Sequence, residues 1–236
     1  MNMSMKRMQA IFIKDYKEFS RNYAVSVMVF LPLFLALFYN KSGVNSIEAY
    51  LLTINMTLAI VTAFIQCCLI AEEKESNTLR SLMMSPASIA DILIGKSALV
   101  FSISAVILAL TIYLLGYKPA NILVLSLALV ISILFYIAIG LICGLFTKTV
   151  MEASLAVLPV MGVFSFGPMA LALSEKYPFV KIAEWLPSAQ LNILAKGLET
   201  AMPVKEIAVS LVIMGGWTIA AFAIASMLYK KRMTDD

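Results

Sequence analysis

Residues 119–147 read PANILVLSLALVISILFYIAIGLICGLFT, a run of 29 residues without a charged side chain. An α-helix rises about 1.5 Å per residue, so about 20 apolar residues cross the hydrocarbon core of a bilayer. A charge at the centre of such a helix costs roughly 2.5–3.5 kcal/mol, and this run contains none. The run therefore predicts one membrane-spanning helix that begins after a short turn.

Five further runs without charge lie on either side of it, each between 19 and 23 residues long. They are 22–40, 49–71, 97–117, 153–174 and 207–229. Of the whole chain, 61% is hydrophobic and only 14% is charged, whereas soluble domains carry about a quarter charged residues. Six such helices could not all be buried inside a soluble protein of 236 residues. The sequence therefore predicts an integral membrane protein.

We expect an all-α, polytopic fold in which residues 1–236 form a single transmembrane domain. Its six predicted spans are 22–40, 49–71, 97–117, 121–146, 153–173 and 207–229. The fifth span contains Pro159 and Pro168 together with two glycines, so we expect it to be kinked or broken.

Two segments outside the spans are predicted to lie at the membrane surface. Residues 5–21 form an amphipathic helix with an apolar, aromatic face and a basic face, which is typical of helices in the headgroup plane. The alternative is an ordinary solvated helix that leads into the first span. Residues 174–206 are too charged to span but contain apolar pieces at 179–186 and 191–198, which predicts interfacial or re-entrant helices.

The distribution of basic residues predicts the orientation. With six spans both termini lie on one side, and the segments on that side carry twelve Lys and Arg against six on the other. The positive-inside rule then places both termini and residues 72–90 in the cytoplasm and residues 174–206 outside the cell.

The residue types argue against catalysis by this chain. Histidine is absent, and the three cysteines Cys67, Cys68 and Cys143 all lie within predicted spans. The commonest general base and zinc ligand is therefore missing. We expect no catalytic residue, no bound cofactor and no metal site. The spans also lack charged residues, which argues against ion coupling and implies that energy comes from outside the chain.

Two short motifs are weakly similar to functional motifs, one to a phosphate-binding loop and one to an intramembrane protease site. Gly95-Lys96-Ser97 is similar to the end of a phosphate-binding loop, but Ala90 stands where that loop needs a glycine. Lys96 is better interpreted as the cytoplasmic start of the third span. Glu72-Glu73 could suggest an intramembrane protease, but without histidine it is better interpreted as the start of a cytoplasmic helix that meets a basic partner.

Gly140-x-x-x-Gly144 in the fourth span has the spacing that allows close approach of two membrane helices. The partner helix is either another span of the same chain, which we favour, or a second copy across a dimer interface.

Residues 72–86 read EEKESNTLRSLMMSP, and Gly95-Lys96 follows at the start of the third span. This pattern resembles the membrane subunit of type-2 ABC transporters, in which a charged segment ending in Thr-Leu precedes a Ser-Pro and then a Gly-Lys. Ser76-Asn77 stands where a glycine pair is common, a departure that concerns the local turn. Leu186-Pro187-Ser188-Ala189 also resembles the family's outer-loop motif, and the resemblance covers most of the chain.

The resemblance implies a permease subunit of an ATP-driven exporter for an apolar or amphipathic substrate such as a peptide, lipid or drug. It implies that ATP and Mg bind a separate ABC ATP-binding subunit, and that a second permease chain completes a homodimer or heterodimer. The setting would be the lipid of a bacterial plasma membrane, with no nucleic acid involved. The alternative is an assembly, immunity or sensor protein that lacks an ATPase partner.

The resemblance also assigns residues 72–90 to a coupling segment that docks on the ATPase. The residues expected to couple are Glu72, Glu73, Lys74, Glu75, Thr78, Leu79, Arg80, Leu82, Met83, Ser85 and Pro86. We expect their charged members to form an exposed polar docking face beside an apolar ridge.

Overall fold

The computed structural model describes residues 3–76, 89–174 and 176–235. Within these ranges the regular structure is helical and contains no strand, which confirms the all-α prediction. The α-helices are α1 (Met3–Arg21), α2 (Tyr23–Val27), α3 (Phe30–Lys41), α4 (Ile47–Glu75), α5 (Ile89–Leu115), α6 (Ile122–Phe146), α7 (Val150–Ala156), α8 (Leu158–Ala170), α9 (Pro187–Glu199) and α10 (Val204–Asp235). Leu171–Leu173 and Pro178–Trp185 are 3₁₀-helices.

Five stretches of the described chain are long and apolar enough to cross a membrane. They are Ile47–Glu75, Ile94–Leu115, Ile122–Phe146, Val150–Leu173 and Val204–Lys230. A sixth is reached only if the bent pair Gln9–Arg21 and Val25–Lys41, which meet at 90°, counts as one span. The predicted first span at 22–40 is therefore not among the five.

The predicted first span is divided into α2 and α3 by a break at Met28 and Val29. Pro32 explains the position of this break. A proline has no N–H to donate to the carbonyl four residues earlier, and its ring clashes with that carbonyl, which here belongs to Met28. Pro32 is tolerated because it lies in the first turn of α3.

α4 is the central helix of the bundle. In its most apolar 18-residue stretch, 94% of the residues are buried, against 50% for α6 and 39% for the α5 span. Residues Leu58–Phe64 widen into a π-helix in the middle of α4. α4 is surrounded by α5, α6, α7 and α9, so a displacement of this helix would move several of its neighbours.

The helices of the last two candidate spans lie at the periphery. In the most apolar 18-residue stretches of Val150–Leu173 and Val204–Lys230, only 17% and 22% of the residues are buried. The former is interrupted at Val157, beside Pro159, and ends in a 3₁₀ turn after Pro168. α10 packs on α6 and α9 and buries one stripe of residues, which includes Met214, Thr218 and Ala225, while most of its other residues are exposed or half-buried.

The segment predicted to be extracellular folds as two helical pieces, Pro178–Trp185 and α9. α9 enters the bundle rather than lying wholly on its surface, because most of its residues are buried. Asn55 Nδ2 of α4 donates a 2.7 Å hydrogen bond to Asn192 Oδ1 of α9. Asn55 is eight residues into α4, or about 12 Å along its axis.

Candidate functional site

The first four residues of the predicted coupling segment lie in the last turn of α4. This helix continues past the predicted end of the second span at residue 71 and ends at Glu75. The other residues assigned to coupling lie outside the described residues: Thr78, Leu79, Arg80, Leu82, Met83, Ser85 and Pro86. The site can therefore be built from Glu72–Glu75 and their surroundings, which we call the charged end of the bundle.

Glu73 joins three helices at this end. Its side chain is 1% exposed, and its Oε2 accepts a hydrogen bond from Nζ of Lys96 on α5. Its Oε1 accepts from Nζ of Lys14 on α1 at 2.5 Å. Lys96 is itself 1% exposed. A buried charge is tolerated when it is paired and hydrogen-bonded, so this arrangement fixes the relative positions of α1, α4 and α5.

Two more carboxylates of α1 complete the group that we call the charge cluster: Lys14, Asp15, Glu18, Glu73 and Lys96. Lys14 Nζ lies 3.0 Å from Glu18 Oε2 and 3.7 Å from Asp15 Oδ1. Asp15 is 1% exposed, and burial raises the pKa of its carboxyl, while Lys96 and Lys14 act in the opposite direction. The amphipathic helix is thus attached to the bundle through ion pairs as well as through its apolar face.

A glycine permits the close contact between α1 and α5. A Cβ atom placed on Gly95 would lie 3.1 Å from Cβ of Ile11, a buried residue of α1. Even a methyl group at this position would require Ile11 of α1 to shift away from α5 by a few tenths of an ångström. The Gly95-Lys96 pair therefore has a packing role and a charge role at adjacent positions.

The remaining charges in the last turn of α4 are also bonded within the chain. Glu72 Oε2 accepts from Asn22 Nδ2 at 3.2 Å, and Glu75 Oε2 accepts from the backbone N–H of Val150 at 3.0 Å. Lys74 Nζ donates to the backbone carbonyl oxygens of Leu145, at 2.8 Å, and Thr147.

The expectation that these charges form an exposed docking face is wrong for Glu73, which is buried. Glu72 and Lys74 are half-buried, and Glu75 is exposed. The reason is that α4 extends to Glu75 and carries its last turn in among α1, α5 and the loop after α6. The sequence predicts Lys96 only as the start of a span, and it assigns no role to Asp15. The signal in the sequence was that Asp15 is an acidic residue beside the basic face of α1.

The carboxylates of Asp15, Glu18 and Glu73 approach one another within 4.8 Å, a spacing that a metal ion could use. Lys14 and Lys96 already bring ammonium groups to the same carboxylates. We therefore interpret the group as an ion-pair cluster.

Gly140 and Gly144 of α6 lie against α4 of the same chain. A Cβ on Gly140 would lie 2.6 Å from the carbonyl oxygen of Ala63, and one on Gly144 would lie 2.7 Å from Cβ of Ile70. These separations are shorter than van der Waals contact, so only glycine allows the two helices to approach this closely.

A cavity of about 330 Å³ lies at the opposite end of the bundle, between α4, α8 and α9. Apolar residues such as Leu52 and Pro168 form much of its wall. Glu48 and Lys196 also line it and form a 2.9 Å ion pair, and Asn192 adds an amide. The cavity therefore combines apolar surface with groups of both charges.

The comparison with known proteins identifies one family. A family model described as "ABC-2 family transporter protein" matches residues 2–227, which is nearly the whole chain. This match confirms the resemblance carried by residues 72–86 and Gly95-Lys96. No curated protein matches the sequence. With its five candidate spans and its match over 2–227, the chain belongs to the ABC-2 transporter family and is the membrane component of a transporter.

Proposed function

We propose that this chain is the permease subunit of an ATP-driven exporter and that a separate ATP-binding subunit drives it through the charged end. The observation that carries the proposal is the anchoring of the last turn of α4. The side chains of Glu72–Glu75 bind residues of α1, of the connection between α1 and α2, of α5, of the end of α6 and of the start of α7. Residues 77–88 follow at once, so a force applied to them reaches all of these elements.

The central position of α4 supports the same mechanism. A soluble ATPase that holds residues 72–90 would displace the end of α4, and the buried ion pairs would carry α1 and α5 along with it. Interactions among buried charges persist in one geometry because separating them leaves a charge without compensation. ATP and Mg are bound by the partner, and this chain supplies the connection between that partner and its own spans.

The topology that fits this function has six spans with both termini in the cytoplasm. Residues 23–41 form the first span and cover about 28 Å if both α2 and α3 cross, close to the thickness of the hydrocarbon core. The 90° bend before them supports the assignment of α1 to the headgroup plane. The charged end then faces the cytoplasm, where the twelve basic residues lie.

The substrate is apolar or amphipathic, and it leaves through the end of the bundle that holds the Glu48–Lys196 cavity. This cavity has an apolar wall and a charged rim, which suits a molecule with a hydrocarbon part and a polar head. A second permease chain, identical or related, completes the path. The small buried share of the last two candidate spans, Val150–Leu173 and Val204–Lys230, leaves apolar surface for that chain and for lipid.

The test is to co-express the permease with the ABC ATP-binding proteins of its own genome, to purify it, and to measure hydrolysis and transport in proteoliposomes. We expect co-purification and ATP hydrolysis that rises in the presence of the permease and rises further with substrate. A stable permease that never associates with an ATP-binding subunit would overturn the proposal and favour the assembly, immunity or sensor alternative.

Orientation has a separate test in intact cells. In a variant without the three native cysteines, Lys181→Cys should react with a membrane-impermeant thiol reagent added outside, whereas Lys17→Cys should react only after permeabilisation. Both positions are exposed, so access to the reagent reports the side of the membrane. The reverse pattern would place the charged end outside the cell and rule out coupling through it.

A further inference from the structure

A lateral groove of about 490 Å³ separates α5 from α10 where both helices pack on α6. We call it the α5–α10 groove, and it is distinct from the cavity at the opposite end of the bundle. Its lining includes Ile94, Ser97, Phe101, Leu134, Ile137 and Phe222. Leu134 and Ile137 of α6 form its floor, and Phe222 is the contribution of α10.

The groove lies within the membrane-spanning part of three helices. Ile94 is the first residue of the α5 candidate span, and Phe101 is seven residues further along it, or about 10 Å. The groove therefore covers the half of the bundle nearer to the charged end. At this depth the surrounding medium is hydrocarbon, so an acyl chain is the occupant that reaches the groove without crossing a barrier, whereas a soluble partner does not.

α10 continues from the groove towards a basic end. Lys230 is exposed and follows Phe222 by eight residues, which is about 12 Å along the helix and about 80° around it. Lys231 and Arg232 follow in the sequence, and residues 207–234 contain no acidic residue. Basic residues grouped at the membrane end of a span attract anionic headgroups. The charge at this position therefore selects a negatively charged lipid.

One polar atom in the groove lacks a partner. Ser97 Oγ is buried and has no hydrogen-bond partner among the described residues. Ser102, another residue of the groove, instead donates to the carbonyl oxygen of Ala98 in its own helix. A hydroxyl in an apolar wall is stabilised by an acceptor, and the ester carbonyl of a phospholipid supplies one close to the headgroup level.

We propose that the α5–α10 groove binds one anionic phospholipid of the leaflet at the charged end. Its acyl chain lies over Phe101, Leu134 and Phe222, an ester carbonyl accepts from Ser97, and its headgroup meets Lys230. The proposal uses the membrane location of the chain and is independent of ATP coupling and of export.

The experiment measures lipid retained by the purified full-length permease, using native mass spectrometry after detergent exchange with phosphatidylglycerol or phosphatidylcholine. Ser102→Trp fills the groove. Ser126→Trp is its matched control, because Ser126 is also exposed and also donates to a carbonyl of its own helix, Leu123. Lys230→Gln removes headgroup charge, and Lys205→Gln removes an exposed charge from the other end of α10.

We expect one retained phosphatidylglycerol per wild-type chain, at least tenfold less in Ser102→Trp, and no change in Ser126→Trp. Lys230→Gln should reduce phosphatidylglycerol retention severalfold and leave phosphatidylcholine retention unchanged. Lys205→Gln should change the retention of neither lipid. Equal retention by Ser102→Trp and Ser126→Trp would overturn the site, and equal retention of both lipids would overturn the charge selectivity. A changed oligomeric state in Ser102→Trp without lipid loss would show that a second chain covers the groove, which also overturns it.

Discussion

α4 carries an ion pair near each end, and the two pairs have very different surroundings. The side chains of Glu73 and Lys96 at the charged end are 1% and 2% exposed. Those of Glu48 and Lys196 at the opposite end are 62% and 47% exposed. Water can replace a lost partner only at the second site. The charged end is therefore held in one arrangement, whereas the opposite end is free to change its contacts at little cost.

This difference agrees with the different roles proposed for the two ends of α4. A helix end that transmits force must keep its neighbours when it moves, and a buried ion pair provides that. A helix end that borders a substrate cavity must exchange partners, and exposed charges do so easily. Substitutions at one end of α4 should therefore have different effects from substitutions at the other end.

Lys96→Met should be the most damaging of these substitutions. The substitution leaves the buried Glu73 with Lys14 as the one lysine of the charge cluster that still pairs with it. Removal of one partner of a buried ion pair lowers the stability of a protein by about 3–5 kcal/mol. Thermal unfolding of the purified permease in mild detergent should show a large drop in the midpoint. Lys196→Met, the same substitution in the exposed pair, should leave the midpoint nearly unchanged. Equal shifts in both variants would mean that burial does not distinguish the two ends.

Combining Lys96→Met with Glu73→Gln should restore much of the lost stability, because a neutral pair carries no uncompensated charge. The same double variant tests coupling separately from folding. If the charged end transmits ATPase motion, transport and permease-stimulated hydrolysis should stay low although the unfolding midpoint recovers. Recovery of coupled transport together with stability would restrict the cluster to a structural role.

The middle of α4 depends on close packing rather than on charge. Gly144→Ala would bring a Cβ within 2.8 Å of the carbonyl oxygen of Cys67, a backbone atom that cannot rotate away. Overpacking of this kind costs about 1–3 kcal/mol. Gly216→Ala on α10 is the control, since a Cβ there meets nothing within 4 Å. Unfolding of both variants, with the oligomeric state measured in parallel, would also show whether Gly144 affects association between chains.

The contrast between the two ends also explains what the sequence could predict. Runs without charge predicted the helical class and the locations of the five candidate spans, because hydrocarbon tolerates few other sequences. The uncharged run at 22–40 predicted one continuous span, but Pro32 breaks the helix. The length and apolarity of a run do not show where a backbone hydrogen bond is missing. The burial of Glu73 could not be predicted because its partners Lys14 and Lys96 are 59 and 23 residues away. A local charge pattern looks the same whether it faces water or a neighbouring helix.

We expect the smallest effect on stability at the exposed pair, together with a large effect on transport. Glu48→Gln removes the 2.9 Å contact with Lys196, and exposed pairs contribute only about 0.2–1 kcal/mol. The unfolding midpoint should therefore hardly move, and moderate salt should mask even that change. Because Glu48 also lines the cavity, transport of a charged amphipathic substrate should change severalfold in its concentration dependence while the maximal rate of ATP hydrolysis stays constant. Lys41→Gln, which removes an exposed charge outside that cavity lining, is a control for the loss of a surface charge at this end of the bundle. Identical transport by Glu48→Gln and Lys41→Gln would remove the cavity from the export path and leave the two ends of α4 distinguished by stability alone.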